Sequence, residues 1–171
     1  NLQLMLSTPR EYLHHNAKRD WWQGILLGAL FIVMLIHAGL FIIFRFKGFI
    51  WYSFFLAMAL AVQVSWNGYL LQFFASNELL MDHQLLTPIY LSIFFSILFA
   101  QSLLKTRKRV PWQHHVFTGM ALMALVGTIA TWFIPSHINS LLASLLALLN
   151  IVFVFGAALH ANMEEHAMAR H

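Results

Sequence analysis

Five long apolar stretches divide this chain, each separated from the next by a short polar break. They run over residues 24–44, 49–74, 85–104, 116–135 and 138–159. At about 1.5 Å of rise per residue, each is long enough to cross a hydrocarbon layer of about 30 Å. None alternates apolar and polar positions as a barrel strand does. Helices are then the remaining way to satisfy the backbone in lipid. The pattern predicts an all-α polytopic membrane bundle with five transmembrane helices in residues 24–160, as one domain. Residues 161–171 lead towards a further helix.

The breaks carry the orientation. Arg45 and Lys47 lie in the first, and Lys105, Arg107, Lys108 and Arg109 in the third. The stretch 75–84 has Glu78 and Asp82 but no Lys or Arg, and the break at Ser136 and His137 has none either. Basic residues collect on the cytoplasmic face, so breaks one and three point inward and the N-terminus lies outside. Arg10, Lys18 and Arg19 disagree, and a preceding exported domain would account for them. Trp21, Trp22 and Trp132 fall at the outer boundary, and Trp51 and Trp112 at the inner one, as interfacial anchors do.

Residues 1–23 read as the tail of an outer domain and a juxtamembrane helix. Thr8-Pro9-Arg10-Glu11 is a capping box with Pro at the first helical position. A helix starting there either continues into the first span as a rod or rests on the headgroups. The chain opens on Asn1, and its first twenty residues lack the apolar core and cleavage site of a signal peptide, so a preceding segment is expected.

Composition narrows the class. Of 171 residues, 60% are hydrophobic and 9% charged, against about 25% charged in an ordinary soluble domain. A fold of this size leaves much of its surface in solvent, so a soluble enzyme, a disordered chain and a coiled coil are excluded. The formal charge of +4 is explained by the basic breaks, and no nucleic-acid partner is expected. There is no cysteine, hence no disulfide, no thiol nucleophile and no thiolate metal site.

Candidate chemistry is sparse. His37 lies deep in the first stretch, and intramembrane titratable residues are functional candidates. A neutral His also needs only one carbonyl or hydroxyl partner. The second stretch carries Gln63 and Asn67 four apart on one face, with Ser65 and Tyr69 on another. Asn150 lies in the middle of the fifth stretch, and Thr128 and Thr131 in the fourth. These groups suit interhelical hydrogen bonds, or a polar cavity that senses a ligand or couples helix motion. His114, His115 and His160, with His37, raise an axial-ligand reading for haem, but no spacing enforces it, and neither a cofactor nor a metal is expected. Gly24 and Gly28, Ala57 and Ala61, Ser96 and Ala100, and Ala143 and Ala147 are small-xxx-small pairs, for packing within the chain or in a homodimer. No intramembrane charge, phosphate loop, zinc motif or catalytic Ser motif is present. An enzyme is therefore not expected; a transporter or channel fragment, or less readily a haem protein, is the alternative.

The order of features resembles the bacterial seven-transmembrane receptors with diverse intracellular signalling modules. The resemblance rests on Gly24-Ile-Leu-Leu-Gly28, Phe44-Arg45, Trp51-Tyr52 and Gly68-Tyr69-Leu70, then on the run from Leu98 to Pro111 and on Ala167-Met168-Ala169-Arg170. It spans about Trp22 to His171. The family shows Tyr-Asn where this chain has His37-Ala38, so no role for that pair is carried over. The resemblance implies a multi-pass receptor of the bacterial inner membrane. An outer ligand-binding domain, often of the carbohydrate-binding kind, would precede it. A cytoplasmic diguanylate cyclase or histidine kinase type of output domain would follow.

The split of basic residues predicts that topology reporters fused within 75–84 report periplasm and those within 105–115 report cytoplasm. Activity of paired periplasmic and cytoplasmic reporters checks this, and the reverse pattern would overturn the orientation.

Overall fold

Five helices make up the described backbone: α1 (Pro9–Phe44), α2 (Lys47–Trp66), α3 (Glu78–Leu104), α4 (Pro111–Ala130) and α5 (Ser136–Met168). The computed structural model describes the backbone of residues 9–67, 78–104 and 111–168, and the side chains of 21–67, 85–104 and 112–160. No strand occurs among the described residues. The all-α membrane bundle is as the apolar pattern predicts. Four helices hold spans long and apolar enough to cross a bilayer: Trp21–Phe44, Lys47–Trp66, Leu85–Leu104 and Ser136–His160. α4 falls outside that set, because its first turns carry Gln113, His114 and His115.

Helix bounds depart from the apolar runs in instructive places. α2 ends at Trp66, with Asn67 as its C-cap, and the rest of the expected stretch to residue 74 lies outside the described residues. α4 starts at Pro111 and ends at Ala130, instead of running from 116 to 135. Proline suits the first helical position, so the polar turn after Pro111 is helical. At the other end residues 131–134 form a turn ahead of Pro135, a residue that disfavours helix immediately before it. α3 begins at Glu78, ahead of residue 85, and carries Pro88 inside it. α1 is one unbroken helix from Pro9 into the apolar span; Thr8 of the capping box lies outside the described residues. Arg45 closes α1 with a φ of 51° while its N–H donates to the Phe41 carbonyl at 2.8 Å. A non-glycine residue in that left-handed region costs about 1–2 kcal/mol, and it lets α2 begin two residues later.

α3 is the hub. It packs on α2, α4 and α5, while α1 touches α2 alone and α4 also meets α5. The buried positions explain why. On α3 they are Leu86, Tyr90, Ile93, Ile97 and Ala100, with Leu104 packed alongside. On α4, Gln113, Phe117, Met120, Ala121 and Ala124 are buried, with Thr131 just past its end, and on α5 Asn139, Ala143, Leu146, Asn150 and Ala157. The α3 and α5 sets follow steps of three, four or seven residues, the period of knobs-into-holes packing, and α4 keeps it with Ala121 added beside Met120. On α4 and α5 the outward surface is largely apolar and exposed, as on α5 at Leu141, Leu145, Leu148, Ile151, Val152 and Phe155. Lipid tails solvate such faces as readily as protein does, so nothing draws them inward. The seam is instead set by small and polar groups, which pack closely and pair.

Gly127 of α4 marks the tightest crossing. A Cβ there would overlap the ring of Tyr90, whereas nothing lies within 4 Å of one at Gly24 or Gly28. Of the small-residue pairs, Ala100 and Ala143 are buried in the core with Ala147 beside them, but Gly24 and Gly28 face away from every described neighbour. Gly127→Ala is expected to lower the thermal midpoint of the protein in detergent, at a cost of about 1–3 kcal/mol for overpacking. Gly28→Ala should leave the midpoint unchanged or raise it, because Ala is the better helix former.

Candidate functional site

The polar and aromatic groups of the bundle form three successive interfaces. Between α1 and α2, the Ser53 hydroxyl donates to the Met34 carbonyl at 3.1 Å. One turn of α1 further on, His37 Nδ1 lies 2.8 Å from the Val33 carbonyl. A carbonyl only accepts, so Nδ1 carries the hydrogen, and in the neutral ring Nε2 is left as an acceptor. The His37 ring packs on Tyr52 at a centroid distance of 4.5 Å and on Phe49 at 6.2 Å. Both fastenings lie in the C-terminal half of the α1 span. Its other half, from Trp21 to Ile32, is largely exposed.

Between α2 and α3 the contact is aromatic. Tyr52 meets Phe99 at 5.0 Å, and Phe95 stacks on Phe54 at 5.2 Å and on Trp51 at 6.2 Å. Trp51, expected as an interfacial anchor, is half-buried, with its ring stacked beside Phe95 of α3. His37, Tyr52 and Phe99 thus make a run of three touching rings through α1, α2 and α3. Aromatic pairs of this kind contribute about 0.5–1.5 kcal/mol beyond their buried area.

Between α3, α4 and α5 the contact is polar. Tyr90 donates its hydroxyl to Asn139 Oδ1 at 2.7 Å, with the Asn139 carbonyl at 3.1 Å. Asn150 Nδ2 donates to Ser96 Oγ at 2.6 Å, and Ser96 in turn donates to the Ile93 carbonyl at 2.9 Å. On the opposite flank of the α3 seam, Thr87 and Thr131 meet through their hydroxyls at 3.4 Å, and Gln101 Nε2 donates to Thr118 at 3.4 Å. The α4-bonding residues Thr87 and Gln101 are fourteen positions apart, two full heptads, so they lie along one line of the helix. Ser96 lies on the α5 side. Asn139 Nδ2 and Asn150 Oδ1 are buried without a partner.

Each sequence candidate now has a place. Asn150 does make an interhelical hydrogen bond. His37 is satisfied within its own helix and stacked on the next. Gln63 is half-buried on α2, and Asn67 caps that helix by donating its backbone N–H to the Gln63 carbonyl at 3.1 Å. Ser65 donates to the Ala61 carbonyl at 2.8 Å; Tyr69 lies outside the described residues. α2 and α5 share no interface, so Gln63 and Asn67 are not brought together with Asn150 around one cavity. α1 and α4 share none either, so His37 is not brought together with His114 or His115. No group of three or more His, Asp or Glu able to hold a metal occurs among the described residues.

Sequence reading missed Tyr90, Asn139 and Ser53. One signal was present: Asn139 and Asn150 are eleven residues apart, about three helical turns, and therefore share a face. Tyr90 and Ser53 stood among apolar neighbours with nothing to mark which face they occupied.

A family model described as 7TM diverse intracellular signalling matches residues 19–171, all but the first turns of α1 and the whole of α2 to α5. No curated protein and no solved structure matches the chain.

Proposed function

Because this chain belongs to the 7TM diverse intracellular signalling family, we propose that it is the transmembrane region of a bacterial receptor, carrying a signal from an outer ligand-binding domain to a cytoplasmic output module. It is a multi-pass protein of the inner membrane, with α1 entering from outside and the basic breaks between α1 and α2 and between α3 and α4 inside. The output module is of the diguanylate cyclase or histidine kinase type. Catalysis belongs to that module and not to this bundle, whose role is to change packing when the outer domain binds its ligand.

The observation that carries this reading is α1. Its 36 residues form one helix, about 54 Å long at 1.5 Å per residue. That exceeds a hydrocarbon core of about 30 Å, so the helix projects well beyond the membrane. Among the described residues its sole helical neighbour is α2. A rod fastened to one partner, at Ser53 and Tyr52, can move without dismantling the core around α3. Displacement of α1 then reaches α3 through Tyr52 and Phe99, and α5 through Ser96 and Tyr90.

A break in the rod tests the proposal. Pro inside a helix removes a backbone hydrogen bond and costs about 3 kcal/mol. In the full-length receptor, Ala17→Pro is expected to abolish the dependence of output on the outer stimulus while membrane abundance stays normal. Ala17→Leu should be nearly silent, since Leu is also a good helix former. Output activity with and without stimulus, beside membrane-fraction immunoblots, gives the answer. A full response from well-inserted Ala17→Pro would show that α1 is only a tether.

A further inference from the structure

We infer that α5 is the switchable helix of the bundle, turning on α3, with the Asn139–Tyr90 and Asn150–Ser96 pairs as its latches. The consequence for output rests on the receptor reading above; the motion itself does not.

Three observations point to α5, and the first and third set it apart from α4. The first is the shape of its seam. α4 is keyed to α3 by the Tyr90 ring over Gly127. α5 presents Ala143, Ala147 and Ala157 with Leu146 buried between them, while its larger Phe153 meets the Phe117 ring of α4 edge-on at 6.3 Å. Alanine surfaces offer no knobs that must leave their holes before a helix turns. The second is the outer face. It carries Leu142, Leu145, Leu148, Leu149, Ile151 and Val152, all exposed. Exchanging one apolar face for another costs little where lipid is the solvent.

The third observation is the unequal use of the two amides. Asn139 and Asn150 are each more than nine-tenths buried. Each pairs one end of its amide with α3 and strands the other: a donor on Asn139 and an acceptor on Asn150. A stranded buried group is expensive, and a turn of α5 is what would give it new surroundings. The same side chains therefore hold the present packing through one atom and oppose it through another. Two packings separated by a small gap are what a ligand needs in order to select between them.

This makes an unusual demand on mutants at a single bond. Ser96→Ala removes only the latch and leaves Asn150 with both amide ends unpaired, so it favours the turned packing. Asn150→Leu removes the latch and the stranded acceptor together, so it favours the packing seen here. A merely structural bond would respond to both in one direction.

The chain holds no cysteine, so disulfide mapping uses the full-length receptor in native membranes with any cysteine outside this region replaced by serine. Ile93→Cys on α3 is paired in turn with Leu146→Cys in the α5 seam and Ala147→Cys on its flank, and the ratio of disulfide yields reports the rotation. Ser96→Ala should move that ratio by about threefold, the factor corresponding to a membrane hydrogen bond of average strength. Asn150→Leu should move it the other way. Tyr90→Phe repeats the Ser96→Ala test at the other latch and should shift the ratio in the same sense. Unstimulated output is read from the same variants and should also move in opposite directions. A ratio that stays fixed, or that moves the same way in Ser96→Ala and Asn150→Leu, overturns the inference whatever the output does. A ratio that shifts as stated while output never responds to any stimulus supports the latch and removes the receptor reading instead.

Discussion

Everything in this bundle depends on α3 having two different faces. One face, with Phe95 and Phe99, meets α2 through aromatic rings. The other, with Tyr90, Ile93, Ile97 and Ala100, meets α4 and α5 along an apolar seam in which small residues and a few polar pairs are set. In water a helix chooses its buried face by hydrophobicity. In lipid that choice disappears, because leucine is as well solvated by acyl chains as by another leucine. The helix must then be oriented by groups that lipid serves badly: hydroxyls, amides, and surfaces small enough for backbones to approach.

That constraint explains the spread of hydrogen bonds. Most hydroxyls donate within their own helix, as Ser65, Thr118 and Thr128 do. Such bonds satisfy the group without saying where the helix goes. A handful reach across, from Ser53, Thr87, Tyr90, Gln101 and Asn150. Those few decide the neighbours. A bundle held in this way has several contacts worth a fraction of a kcal/mol each rather than one interlocked core. Such a design suits a protein whose proposed task is to change packing.

The helices differ in how firmly they are held, and the difference follows the proposed direction of the signal. α1 is attached to one neighbour and largely exposed along half its span. α3 and α4 are locked by the close contact between Tyr90 and Gly127. α5 lies on a smooth seam with two amides only half used. A movable helix at each end of the arc, with a fixed pair between them, is a mechanical arrangement that a uniformly packed bundle does not offer.

How many helices there are, and that they lie in a membrane, was legible in the residues alone, because twenty apolar residues without charge have one physical outcome. The family was legible from short runs such as Phe44-Arg45 and Trp51-Tyr52. Asn150 was also found, since an amide in the middle of an apolar helix needs a partner. The partner was not: Ser96 is one of several hydroxyls on α3, and only the crossing of α3 and α5 selects it. Gln63 and Asn67 have no contact with Asn150 for the same reason, as α2 and α5 share no interface among the described residues. Gly24 and Gly28 carried a packing pattern that meets nothing among the described residues, while Gly127, which carried none, turned out to be the tightest contact. Sequence determines which segments enter the lipid, because that depends on the composition of each segment by itself. Tertiary structure decides which faces meet, because in a solvent of hydrocarbon nearly every face is equally at home, and a few small and polar contacts between distant residues settle the choice.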